Sequence, residues 1–220
     1  HLQSDWDSPV WRHWVEELSR NHTLIRYDER GCGLSDRDVT DLSIDAWVDD
    51  LEAVVAAAGL TRFPIVGMSH GCTVAISYAV RYPERVSHLI LYGGFVRGRF
   101  HRDLTPEQHE ETETLINLTR FGWGKENSAF RQVFAKLFAP EGTPEQHEWF
   151  CELARVTANP EIQAAIDRAS YEVLITDVAE QVTAPSLVLH PRGDGIVRFA
   201  EGRLRCEVVA GAGGVGRDSR

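Results

Sequence analysis

The sequence has few cysteines, and none of them stands at a spacing that would bind a metal or staple a small fold. Cys32, Cys72, Cys151 and Cys206 are far apart and form no CxxC pair. No cluster of histidine, cysteine and acidic residues has metal-ligand spacing. This pattern is typical of thiols that stay reduced in a reducing compartment. We therefore expect a cytoplasmic protein with no metal site and no cofactor.

Positive charge is also scarce, and long apolar runs are absent. Lysine and arginine number 23 against 33 acidic residues, which gives a formal net charge of −10. A polyanion would be repelled by most of such a surface, so we expect no nucleic acid partner. Nothing resembles a signal peptide or an apolar run of membrane-spanning length, so we expect no membrane partner. A chain of 220 residues with 43% apolar content suits one globular domain, with or without an insertion.

Strand and helix patterns alternate through the first hundred residues. Helical spacing predicts helices over "DSPVWRHWVEELSRN", capped by Asp7 or Ser8, and over "SIDAWVDDLEAVVAAAGL", capped by Ser43. In the first helix, Trp11 and Trp14 are predicted to be core. Strands are predicted at residues 23–27 and in "RFPIVGM", "SHLILYGG" and "APSLVLHPRGD". Continuous apolar strands separated by helices indicate an α/β fold with a mostly parallel sheet covered by helices.

Residues 101–182 break this alternation. They contain no strong strand pattern, and they carry most of the net negative charge. Two segments begin with "TPEQHE", so Thr105 and Thr143 are predicted helix N-caps, each completed by a glutamine three residues later. We interpret this stretch as a solvated helical insertion, with a binding face for cationic substrates as the alternative. The predicted boundaries are 1–98 and 181–205 for the core, 99–180 for the insertion and 206–220 for an irregular tail.

The segment "FPIVGMSHGCTVA" contains a G-x-S-x-G motif between a predicted strand and a predicted helix. This is the sequence form of a nucleophile elbow, which points to Ser69 as a catalytic nucleophile. We expect Gly67 and Gly71 to be needed because side chains there would clash. We expect the backbone N–H of His70 to stabilise an oxyanion, while the His70 side chain is a neighbour rather than the base. The alternative is a chance serine in a glycine-rich turn.

Three motifs in this order resemble the α/β-hydrolase superfamily over about residues 4–202. "YDERGCGLSD" is similar to the turn that precedes the first large helix, "GMSHG" to the elbow, and "APSLVLHPRGDGIV" to the strand that presents the catalytic acid. The resemblance is closest to bacterial hydrolase-like domains, which occur alone or joined to adenylate cyclase or LuxR-type regulators. It implies a mostly parallel sheet with a helical cap at 99–180. It also implies serine hydrolysis of a small-molecule carboxylic ester or related acyl compound.

The resemblance also implies an acid and a base for Ser69. Asp194 matches the family's acid, with a simple turn-forming role before Gly195 as the alternative. The family places its histidine after the acid, but no histidine follows Asp194 in this sequence. His190 is a candidate substitute base, and histidines of the cap are further candidates (His101, His109 and His147). Leu2 is a candidate second oxyanion donor. Asp28 and Arg30 are interpreted as turn-fixing residues.

The resemblance implies that the family's early strands precede residue 1, and that its C-terminal histidine piece is missing or replaced. Without a central strand its neighbours would have unpaired edges, so we expect a homo-oligomer, strand exchange or instability in isolation. Three interpretations stay open. The chain is an active serine hydrolase, a catalytically impaired ligand-binding or regulatory domain, or an enzyme whose triad is completed by a second chain.

Overall fold

The computed structural model describes residues 1–125, 128–202 and 209. The chain divides into two compact units. The helical unit consists of His1–Asp41 and Glu113–Asp167, and the sheet unit consists of Leu42–Thr112 and the described residues from Arg168 onward. Residues 1–41 thus group with helices of the predicted cap. The predicted boundaries between core and cap stay a prediction, and the predicted tail lies outside the described residues except for Val209.

The sheet unit is built on a parallel sheet, as predicted. Its described strands are β1 (Phe63–Met68), β2 (Val86–Tyr92) and β3 (Ser186–Leu189), in the order β1-β2-β3. Helix α3 (Gly71–Arg81) packs on β1 and β2, and α2 (Ile44–Ala57) and α8 (Thr176–Ala179) pack on α3. The core of this unit contains fully buried apolar residues of α2, α3 and β2 (Val48, Ile76, Leu89 and Leu91).

β1 lies at one edge of the described sheet. Phe63 N–H donates to the carbonyl of Arg85, and Ser69 N–H donates to the carbonyl of Tyr92, at 2.9 Å each. The N–H groups of successive residues in a strand point to opposite sides of it. Because the N–H groups of Phe63 and Ser69 point towards β2, those of Val66 and Met68 point away from it. Pro64 shares that side, where its missing N–H removes no bond to β2.

The predicted strand at residues 23–27 is wrong. These residues form no ladder with another strand in the described part of the chain. Side chains fix the segment instead, since Arg26 binds Asp5 with 2.7 Å between Nη1 and Oδ2. An apolar pattern indicates which residues can be buried, but it does not supply the partner that a strand requires.

The predicted start of α2 is confirmed, because the Ser43 side chain accepts a hydrogen bond from Ala46 N–H. The prediction that Asp7 or Ser8 caps the first helix is wrong. Ser8 accepts from the N–H groups of Val10 and Trp11 in a turn, and α1 (Arg12–Ser19) begins after it with Trp11 as its N-cap and no side-chain cap. The prediction that Trp11 and Trp14 are core residues is wrong, because both are partly exposed and Val15 is the buried residue of α1.

The predicted insertion is helical. It contains α4 (Pro106–Gly122), α5 (Ser128–Phe138), α6 (Pro144–Thr157) and α7 (Pro160–Glu172). Capping boxes at Thr105 and Thr143 are confirmed, with reciprocal bonds to Gln108 and Gln146. Within the helical unit, Trp123 packs edge-on against Phe134 with 5.3 Å between ring centroids.

Candidate active site

Ser69 stands between β1 and α3 in a strained backbone conformation. Its φ is +48°, and it is the one non-glycine residue with positive φ among the described residues. A side chain in this left-handed region is disfavoured, so the surrounding bonds must hold it there. One of them is the bond from Ser69 N–H to the carbonyl of Tyr92. The Ser69 residue is exposed, so the turn presents the hydroxyl at the surface of the sheet unit.

The two glycines of the motif play different roles. A methyl group built on Gly67 would lie 2.8 Å from the carbonyl oxygen of Gly71 and 2.9 Å from Cα of Cys72. Both obstacles are backbone, so the prediction that Gly67 is required for space is confirmed. A methyl group built on Gly71 would meet nothing within 4 Å. The prediction of a clash at Gly71 is therefore wrong.

The backbone N–H of His70 is available to a ligand. His70 is the N-cap of α3, and its N–H makes no hydrogen bond within the described residues. This N–H belongs to the peptide between Ser69 and His70, and the Ser69 carbonyl of the same peptide accepts from the N–H of Cys72 at 3.1 Å, which fixes it. A fixed N–H at the start of a helix is suited to stabilising developing negative charge.

The side chain of His70 is turned towards the interior of the sheet unit. Its ring lies edge-on to Trp47 with 4.3 Å between centroids. Its Nε2 is buried and makes no hydrogen bond in the described part of the chain. Burial lowers the pKa of His70 to about 4, so the ring is neutral at pH 7. This placement agrees with a packing role.

Asp194 lies in a tight turn after β3. Its Oδ1 accepts hydrogen bonds from Ile196 N–H at 2.9 Å and Val197 N–H at 2.8 Å. A methyl group built on Gly93, just after β2, would lie 3.6 Å from Oδ2. One carboxylate oxygen therefore holds the turn, and the other lies beside the carboxyl end of β2. The turn-forming interpretation accounts for the first oxygen but not for the position of the second.

His190 is part of the same turn. Its Nε2 lies 2.7 Å from the carbonyl oxygen of Val197 and 3.6 Å from Asp194 Oδ2. A carbonyl only accepts, so Nε2 carries a proton and Nδ1 is the acceptor atom of the neutral ring. Nδ1 is buried without a partner on the side that faces Gly202. No contact of the described residues joins His190 to Ser69. The substitute-base role of His190 stays a prediction.

The other predicted residues are engaged elsewhere. Leu2 belongs to the helical unit, and its N–H donates to Asp28 Oδ1 at 3.0 Å. Asp28 Oδ2 accepts from Leu34 N–H at 3.0 Å, which agrees with its predicted turn-fixing role. Leu2 N–H thus already has an acceptor, and its oxyanion role stays a prediction.

The cap histidines also have neighbours of their own. Nε2 of His101 lies 2.8 Å from the carbonyl oxygen of Glu172, and Nε2 of His147 lies 2.7 Å from that of Ala139. The ring of His109 is tilted against that of Phe100, with 4.9 Å between centroids. None of these described contacts involves Ser69.

Sequence reasoning missed Trp47 and Gly93 as neighbours of the site. Trp47 lies in the segment predicted as α2, but its contact with His70 depends on how α2 packs on α3. Gly93 follows an apolar strand, which is where a small residue lets a side chain from the next strand approach. Among the described residues, no group of three or more metal-ligating side chains exists, and no helix is long and apolar enough to span a membrane.

Comparison with known proteins identifies the family. The model of the alpha/beta hydrolase fold family matches residues 6–149. A pyrrolizixenacetamide deacetylase of Xenorhabdus hominickii is 25% identical over 206 residues, which cover 92% of this chain and 74% of the relative. A 2-hydroxymuconate semialdehyde hydrolase of a Pseudomonas species is 36% identical over 84 residues, which cover 38% of this chain and only 30% of the relative.

Solved structures show the same fold. A hydrolase of Oleispira antarctica superposes with a TM-score of 0.79 at 19% identity, covering 95% of this chain and 77% of that one. An esterase of Exiguobacterium antarcticum superposes with a TM-score of 0.73 at 23% identity, covering 86% and 70%. The family match over more than half of the chain, together with the parallel sheet and the strained serine turn, shows that this chain belongs to the α/β-hydrolase fold family.

Proposed function

We propose that the chain is a serine hydrolase that acts on small-molecule carboxylic esters or related acyl compounds. The observation that carries the proposal is the conformation of Ser69. Ser69 has a strained φ of +48° and is exposed. It directly precedes His70, the N-cap of α3, whose N–H has no acceptor in the described residues. The relatives support the hydrolase class, since they are named as a deacetylase and a semialdehyde hydrolase.

In the proposed reaction the Ser69 hydroxyl oxygen adds to the acyl carbonyl carbon, and its proton passes to a base. The N–H of His70 donates to the resulting oxyanion. When the intermediate collapses, the carbon–oxygen bond to the alcohol breaks and the base returns the proton to the departing alcohol. Water then adds to the acyl group by the same route and releases the acid and Ser69.

The base is the open element of the proposal. Asp194 orients it through Oδ2, the oxygen that the turn does not use. His190 is one candidate, but its Nε2 lies against the carbonyl of Val197 and would have to leave that acceptor. The other candidate is an imidazole from a second chain.

Labelling with a fluorophosphonate probe tests the proposal. An activated Ser69 displaces fluoride from phosphorus, and mass spectrometry locates the adduct. We expect Ser69 to be labelled in the native protein and the adduct to be lost in Ser69→Ala. Ser87→Ala is the matched control, because Ser87 lies at the opposite end of the sheet, near the start of β2. We expect labelling of Ser69 in that variant to be unchanged.

A second arm addresses the base. If the base site is vacant in a single chain, imidazole added to the buffer will accelerate labelling of Ser69. If His190 is the base, His190→Gln will lose labelling and imidazole will leave the native rate unchanged. Folded protein that is not labelled under either condition would contradict the serine hydrolase.

One observation favours a second candidate function, a ligand-binding domain without catalysis. The rings of His70 and His190 are directed at Trp47 and Val197, and no described contact brings an imidazole to Ser69. In that case the site binds an acyl compound without turning it over. A ligand that stabilises the protein in a thermal shift assay, with no product formed, would distinguish this candidate from the hydrolase.

A further inference from the structure

The segment after β2 concentrates positive charge in an acidic chain. It reads "RGRFHR" from Arg97 to Arg102, whereas the whole sequence has a net charge of −10. Arg97 Nη2 donates to Glu201 Oε1 at 3.0 Å. Arg102 Nε lies 4.0 Å from the same oxygen. The guanidinium groups of Arg97 and Arg102 therefore both lie close to the Glu201 carboxylate.

One carboxylate does not balance the charge of this cluster, which we call the arginine cluster (Arg97, Arg99 and Arg102). The side chain of Arg102 is only 12% exposed. Burial lowers the pKa of Arg102, and Arg99 and Arg97 lower it further, while Glu201 opposes them. Arg99 forms no ion pair within the described part of the chain. Excess positive charge in a partly desolvated position is costly unless a counter-ion is bound.

The guanidinium of Arg102 is held in a fixed position. Its Nε donates to the carbonyl of Arg97 at 3.3 Å, and its Cζ lies 5.5 Å from the centroid of the Phe95 ring. Its two Nη atoms make no hydrogen bond with the described residues, and they are not among the buried polar atoms. A guanidinium anchored through Nε and ring stacking presents two parallel N–H groups, which match the geometry of a carboxylate.

We propose that the arginine cluster binds the carboxylate of a small-molecule ligand. Arg97 follows β2 and Glu201 follows the Asp194 turn, so the cluster lies on segments that leave the carboxyl ends of β2 and β3. In parallel sheets, ligands bind at these ends. If the chain is the serine hydrolase proposed above, its substrates are acyl compounds that also carry an ionised carboxylate, which binds at the arginine cluster.

Isothermal titration of succinate into Ser69→Ala protein tests the site without catalysis. We expect succinate to bind and neutral dimethyl succinate not to bind. In the same background, Arg102→Gln and Arg99→Gln should each weaken succinate binding about tenfold, because a charge-assisted hydrogen bond is lost. Arg62→Gln is the matched control, since Arg62 is an exposed arginine of the sheet unit with no ion pair among the described residues. Its affinity should be unchanged.

Arg99→Gln keeps the test decisive if Arg102→Gln does not fold. No binding of succinate, equal binding of dimethyl succinate, or equal loss in Arg62→Gln would overturn the proposal. A separate assay compares hydrolysis of monomethyl and dimethyl succinate by the native protein. Preference for the monomethyl ester, lost in Arg99→Gln, supports the substrate class. Succinate binding without hydrolysis of either ester would leave the carboxylate site intact and refute the substrate class, while fluorophosphonate labelling of Ser69 decides the serine hydrolase separately.

Discussion

At the scale of single residues, the turn at Ser69 depends on Gly67 and not on Gly71. Gly67→Ala would force a methyl group to within 2.9 Å of Cα of Cys72. Because backbone must move, we expect the free energy of unfolding to fall by about 1–3 kcal/mol. Gly71→Ala places its methyl in open space and should stay within about 1 kcal/mol of the native protein. Urea denaturation measures both variants, and equal stability of the two would contradict this assignment.

His70 makes stability depend on pH. Its pKa is about 4 in the folded protein and about 6.5 in an unfolded chain. Between these values the unfolded state binds more protons, so the free energy of unfolding decreases as the pH falls from 6.5 to 4. From pH 7 to pH 5 the loss attributed to His70 should be about 2 kcal/mol. Denaturant titrations at pH 7 and pH 5 measure this loss in the native protein and in His70→Phe. The variant keeps a ring beside Trp47 and should lack the loss.

Glu29 changes the pH dependence of stability in the direction opposite to His70, so the native protein must be compared with His70→Phe. Burial raises the pKa of Glu29 to about 7. The folded state therefore holds the proton between the unfolded value and pH 7, and its stability decreases as the pH rises through that window. The free energy of unfolding of the native protein, measured against pH, contains the contributions of both Glu29 and His70. If native protein and His70→Phe lose the same stability between pH 7 and pH 5, His70 is not the titrating group.

At the scale of elements, local signals were sufficient for the starts of α2 and α6 and for the apolar strands, but not for the start of α1. Ser43 and Thr143 cap helices because a hydroxyl beside the first turn needs no distant partner. The strand expected at residues 23–27 failed because its existence depends on pairing with another segment. The Asp194 turn shows the same limit, since Asp194 and Gly195 indicated a turn but not the contact between His190 and Val197. The charge balance at Glu201 also depends on residues far apart in sequence.

The capping box of α6 provides a quantitative test. Thr143 accepts from Gln146 N–H at 3.2 Å, and Gln146 Oε1 accepts from Thr143 N–H at 2.9 Å. Thr143→Ala removes the hydroxyl and should lower the free energy of unfolding by about 1 kcal/mol. Thr143→Ser keeps the acceptor oxygen and should restore most of it. Chemical denaturation of the native protein and the two variants measures these differences. Equal stability of the alanine and serine variants would exclude a capping role for Thr143.

At the scale of the whole molecule, β1 has one edge that no strand of the described residues covers. The N–H groups of Val66 and Met68 point away from β2 and have no acceptor in the described residues. An unpaired edge of this kind accepts a strand from another chain. We propose that the chain self-associates there, which is also the route by which a second chain would approach Ser69 at the end of β1.

Amide hydrogen exchange distinguishes this association from any other. In dilute monomer we expect fast exchange at Val66 and Met68 and slow exchange at Ile65 and Gly67, whose N–H groups face β2. As protein concentration rises and sedimentation velocity detects a larger species, Val66 and Met68 should become protected while Ile65 and Gly67 stay as they were. Association without protection at Val66 and Met68 would mean another surface is used. A single monomeric species at every concentration would contradict self-association and, with it, a triad completed by a second copy.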